Sequence, residues 1–125
     1  MESELEKLML AVQADDRDTV RTEWTTLERE LSSHLEAEEH FMIPAFATVQ
    51  HDEAVALLRE HGQIRQSLLE VGVAIELHYL QSPQLRELVE LLHAHAHREE
   101  SLLYPWADSW IQPAQVRLVR AHIGR

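Results

Sequence analysis

The chain has no cysteine, which removes disulfides, thiolate zinc sites and cysteine-held iron–sulfur clusters from consideration. Such a composition suits a reducing interior, and a cytoplasmic location is the expectation. Glycine and proline are scarce, three and four residues among 125, so few positions demand a tight turn or break a helix. No apolar run is long enough to span a membrane. The opening MESELEKLM has neither the basic start nor the apolar stretch of a signal peptide. Positive charge is also short: 11 Lys and Arg stand against 22 Asp and Glu, a formal net charge of −11. A surface of that sign repels a phosphate backbone, so nucleic-acid binding is not expected.

What is present favours helix. Seventeen of the acidic residues are glutamate, and leucine-rich segments of helical period follow one another with no alternating strand pattern. The first helix is expected over 2–14, stopping at Asp15-Asp16. The second starts with Asp18 as N-cap and carries Val20, Trp24, Leu27, Leu31, His34, Glu38 and Phe41 on one stripe up to Pro44, which ends or kinks it. The third opens near Asp52, with Leu57, His61, Ile64, Leu68, Val71, Ile75 and His78 on its stripe. Ser82-Pro83 caps the fourth, which carries Leu85, Leu88, Leu92, His95, Glu99 and Leu102. Pro105 interrupts it, Trp106–Ile111 continue it, and Pro113 opens a short terminal helix. The expected fold is all-α: residues 1–125 as one up-down-up-down four-helix bundle with a short C-terminal helical extension.

Two segments of the chain repeat one pattern. Residues 34–44 read HLEAEEHFMIP and residues 95–105 read HAHREESLLYP. Each has a histidine, glutamates at +4 and +5, apolar residues at +8 and +9, and proline at +10. On a helix, positions i and i+4 face the same way one turn apart, so each segment offers an imidazole and a carboxylate to a common point. A single His-x-x-x-Glu pair is expected by chance at this composition. The repeated glutamate and proline offsets, and the phase of the pairs, carry the argument.

That phase is the phase of the core. His34, His61 and His95 occupy apolar-stripe positions, as do Glu38 and Glu99. Burying them without partners would cost several kcal/mol each, comparable with the whole stability of a small domain. A cation satisfies them best. In an antiparallel bundle the end of the second helix, the start of the third and the end of the fourth lie at one end, which puts all five groups in one layer. The competing explanation is a set of ion-paired core histidines with no metal. His93 and His97 lie off the stripe and read as solvated or as partners of the ligands; His78 belongs to the far end, as a core or rim residue. His40, His51 and His122 read as surface, and Glu39 and Glu100 as solvated or outer neighbours able to act as alternative ligands.

With HLEAEEHFMIP, the isolated REHGQI and HAHREESLLYP in place, nearly the whole chain resembles the haemerythrin-like family, the HHE cation-binding domains. The resemblance implies a four-helix bundle holding two irons, oxo- or carboxylate-bridged. The implied ligands are His34, Glu38, His61, His95 and Glu99, with the two glutamates as bridges. Two departures stand out. Oxygen-carrying members have a second histidine four residues on in the third helix, where this chain has Arg65. The family also has a first-helix histidine, and none precedes His34; counting back along the stripe from Val12, Met9 and Leu5 reaches Glu2, which either stands in for it or leaves that ligand unsupplied. Three imidazoles and two carboxylates make a hard, oxygen-rich donor set that favours Fe(III) over reversible dioxygen binding.

Function is thereby narrowed to a non-haem iron protein whose partners are metal ions and a small diatomic or peroxide ligand: oxygen, peroxide or nitric oxide sensing, detoxification, or iron handling. The alternatives are a zinc- or other metal-dependent hydrolytic or thiol-transfer bundle enzyme, and a metal-free structural bundle. A histidine phosphotransfer bundle needs an exposed histidine, which the core phase of His34, His61 and His95 opposes. Trp106 and Trp110 would either cap the bundle's end or form a patch for a homodimer.

Overall fold

In the computed structural model several helix ends have a local cause that can be read in their capping residues. Residues 2–110 are described, with side chains for 3–109; the Glu2 side chain, Ile111, the helix expected from Pro113 and His122 lie outside the described residues. Helix α1 (Glu2–Gln13) buries Leu5, Leu8 and Ala11. It ends at Asp15 in the left-handed region (φ 55), where the Asp16 N–H closes back on the Ala11 carbonyl. Asp16 then caps α2 (Arg17–Phe41): its carboxylate accepts from the Thr19 N–H and from the Thr19 hydroxyl at 2.6 Å. The expected cap, Asp18, instead sits in the first turn, where its charge faces the positive end of the helix dipole.

Helix α2 keeps its expected stripe from Val20 to Glu38, but Phe41 is 59% exposed. The helix breaks at Met42 (φ −120, ψ −54), and the short α3 (Ile43–Phe46) restarts with Pro44 in its first turn. The break turns Met42 and Ile43 inward in place of Phe41. Helix α4 (His51–Glu76) ends two residues before His78. His78 is left-handed (φ 58) and exposed, because its N–H and that of Tyr79 close the helix on Ile75 and Ala74; it is not on the stripe. Helix α5 (Ser82–Arg98) is capped one residue earlier than expected, by a reciprocal pair in which Gln81 and Gln84 each bond the other's backbone.

The fourth long segment changes pitch where the site begins. Glu99–Leu103 form a π turn, with the Tyr104 N–H donating to the Glu99 carbonyl, and α6 (Tyr104–Trp110) follows with Pro105 tolerated in its first turn. The extra residue rotates the helix, so Leu102 is exposed while Leu103 and Tyr104 are buried.

The long helices touch in the ring α1–α2–α4–α5. Two apolar clusters result. The larger runs through Leu8, Leu27, Leu31, Leu35, Ile64, Leu88 and Leu92; the smaller gathers Met42, Phe46, Leu57, Leu103 and Tyr104, with Trp106 packed on Phe46. Between them, on α2, α4, α5 and the π turn that follows it, lies a layer of buried polar side chains. No strand occurs among the described residues, and none of their helices is long and apolar enough to cross a membrane.

Candidate metal centre

The polar layer consists of His34 and Glu38 from α2, His61 from α4, His95 from α5, and Glu99, the first residue of the π turn. None is more than 4% exposed, and they are the buried polar residues of the described chain. Helical period explains the placement: His34/Glu38 and His95/Glu99 are i,i+4 pairs, so each pair continues an apolar stripe inward.

Their reactive atoms converge. Ligand atoms of Glu38, His61, His95 and Glu99 lie within 4.8 Å of one another. Glu38 Oε1 is 3.0 Å from His61 Nε2 and 3.7 Å from His95 Nε2, while its Oε2 is 3.3 Å from His34 Nε2. Glu99 repeats the arrangement: Oε1 is 3.8 Å from His34 Nε2 and Oε2 is 3.4 Å from His95 Nε2. His61 and His95 stack edge to face at 4.8 Å.

Around this layer lie groups that hold it. Glu39, foreseen as an outer neighbour, accepts from His61 Nδ1 at 2.7 Å and is gripped by both terminal nitrogens of Arg65. Glu60, Arg98 and Tyr104 were not foreseen. Glu60 accepts from His95 Nδ1 at 2.8 Å and from Arg98, which reaches on to Glu53. The Tyr104 hydroxyl donates to Glu38 Oε2 at 2.9 Å. A clue to Tyr104 was in the repeat itself: at +9 the first segment has Ile43 and the second has a tyrosine. Glu100, His93, His97, His40 and His51 are exposed.

Electrostatics set the ionisation of the layer. Burial raises the Glu38 pKa, but the His61 hydrogen bond and the nearby His95 and His34 outweigh it and hold the carboxyl down at about 2. Burial pushes His34 below its ordinary value, only partly offset by Glu38. For His95 burial acts in the same direction, yet Glu38 and Glu60 overcome it and raise the pKa. Glu39 is lowered: burial opposes this, and Arg65 and His61 prevail.

The residues fit a cation. Within the layer, His95 Nε2 and Glu99 Oε2 are buried with no hydrogen-bond partner among the described residues. Each such orphan costs about 1–3 kcal/mol. With the Nδ1 atoms of His61 and His95 engaged outward, their Nε2 atoms face the carboxylates, the orientation in which a metal takes an imidazole.

Comparison with known proteins agrees with this geometry. Residues 1–108 match the family model described as Hemerythrin HHE cation binding domain. No curated protein and no solved structure matches the chain.

Proposed function

The chain belongs to the haemerythrin HHE cation-binding family, and on that premise we propose that it is a non-haem di-iron protein that handles oxygen, peroxide or nitric oxide rather than carrying oxygen reversibly. The observation that supports two ions is the way both carboxylates straddle the layer. Glu38 and Glu99 each turn one oxygen toward His34 and the other toward His95. In this reading His34 on one side and His61 with His95 on the other would hold the ions, with Glu38 and Glu99 supplying the carboxylates between them. The four long helices form the up-down-up-down bundle that their ring of contacts and short connections favour.

Iron, when bound, supplies a change of oxidation state and a position for a small ligand. The protein's part is to hold and to exclude. Met42, Leu57 and Leu103 close one side of the layer and Leu35, Ile64 and Leu92 the other, keeping bulk water from the carboxylates. Tyr104 fixes the orientation of Glu38. Arg65 occupies the place where carriers have a further imidazole, so the donor set is rich in oxygen and favours the ferric state.

The test is anaerobic reconstitution of the full chain with Fe(II), followed by metal analysis and exposure to air. About two ions per chain are expected, and uptake below about half an equivalent would overturn the reading. Air should produce ferric absorption that persists on purging. Absorption that vanishes on purging and returns with oxygen over repeated cycles would mean a carrier.

A further inference from the structure

The layer is braced unevenly. His61 Nδ1 meets Glu39 at 2.7 Å, and Glu39 is clamped by Arg65 at 2.7 and 3.1 Å in a two-point grip. His95 Nδ1 meets Glu60 at 2.8 Å, and Glu60 is clamped by Arg98, itself anchored on Glu53 at 2.8 Å. Each brace crosses between helices: Glu39 of α2 holds the imidazole of α4, and Glu60 of α4 holds that of α5. His34 has no counterpart, since its Nδ1 is buried without a hydrogen-bond partner among the described residues.

An imidazole ring can rotate and can carry its proton on either nitrogen. A carboxylate on Nδ1 removes both freedoms: it fixes the proton there, aims Nε2 at the opposite side, and makes Nε2 a stronger donor. An arginine behind the carboxylate keeps it from swinging away into solvent.

We propose that Glu39 and Glu60, held by Arg65 and Arg98, are positioning residues that lock His61 and His95 with Nε2 toward Glu38 and Glu99. The inference rests on the metal reading above. It also assigns a task to Arg65, the residue that departs from the oxygen-carrier pattern: it secures the carboxylate that secures His61. Glu39 and Glu60 touch no metal in this scheme and act only through the two rings.

The test uses the full chain loaded with Zn(II), which is diamagnetic, and reads ring N–H signals by 1H–15N NMR together with Zn(II) affinity by chelator competition. Wild-type protein is expected to show protected Nδ1–H signals from both His61 and His95. Glu39→Ala should lose the His61 signal and keep that of His95, and Glu60→Ala should do the reverse. Each should weaken Zn(II) by about 10–100-fold. Glu87→Ala, at an exposed position of α5 two turns before His95, should leave signals and affinity unchanged. Glu39→Gln and Glu60→Gln retain an acceptor, so they should keep the ring signals and weaken Zn(II) by a smaller factor; they carry the comparison if the alanine variants do not fold. Wild-type affinity in every folded variant, or ring signals that survive alanine, overturns this inference alone. Failure of the wild-type protein to take up Zn(II) or Fe(II) overturns the metal reading, and this inference with it.

Discussion

Replacing Tyr104 with phenylalanine removes a single oxygen atom, and the structure states what that atom does. The ring lies in the smaller apolar cluster, and phenylalanine keeps that packing. The hydroxyl donates to Glu38 Oε2 at 2.9 Å, and Glu38 is completely buried. Glu38 retains the His61 contact on its other oxygen, so the carboxylate is not stripped bare. A buried hydrogen bond to a charged acceptor contributes about 1.5–3 kcal/mol, and loss of the donor leaves that oxygen poorly solvated. Against a total stability of about 5–15 kcal/mol this is a large fraction. Urea unfolding of the metal-free protein at neutral pH should therefore show the variant less stable by that amount, with an unchanged m-value. The metal-free state is the right one to compare, because a bound cation would add its own stabilisation to both proteins. A difference under about 0.5 kcal/mol, the range of an ordinary surface substitution, would refute the reasoning.

Further outcomes follow from the same geometry. His61→Ala should abolish or strongly weaken iron uptake, whereas His78→Ala, at the exposed end of α4, should leave metal content unchanged; equal loss by metal analysis would contradict the placement of the layer. Leu103→Ala should destabilise by about 2–5 kcal/mol and Leu102→Ala by less than about 0.5 kcal/mol, a contrast that denaturant titration can check and that a continuous α-helix would reverse. The Glu38 carboxyl is depressed in the folded state, to about 2, so its contribution is fully present above the ordinary value of 4.5 and is lost as pH falls from there toward 2. Metal-free protein should accordingly lose stability over that window in urea titrations, and a flat profile between those limits would exclude the shift.

Helical period made the stripe of α2 legible as far as Glu38, and on α4 it separated His61 from its exposed neighbours. It failed where the backbone leaves ideal pitch. Phe41 and Leu102 each follow the 3,4 spacing, yet Phe41 is the last residue of α2 before the break that brings Met42 and Ile43 inward, and Leu102 lies within the π turn Glu99–Leu103. Such departures depend on how helix ends pack against other helices, which local periodicity does not contain. Capping was misread by one or two residues for a related reason: Asp16 and Asp18 are both good caps, and the turn that ends α1 decides between them. Glu60 escaped notice because its role depends on α5 lying beside α4, a contact between residues 35 apart in the chain. Arg98 reaches Glu60 and Glu53, 38 and 45 residues away in the chain, across the same pair of helices.

The two repeated segments bring their +8 and +9 residues inward by different means, one by stopping and restarting, the other by widening a turn. The endpoints are shared and the paths are not. Because isoleucine stands at +9 in one copy and tyrosine in the other, the second copy supplies a phenol to the first copy's carboxylate, and nothing is returned: Glu99 Oε2 has no hydrogen-bond partner among the described residues. Near-symmetry in sequence thus yields an unequal pair of carboxylates: Glu38 is hydrogen-bonded by both His61 and Tyr104, whereas Glu99 only faces His34 and His95, at 3.8 and 3.4 Å.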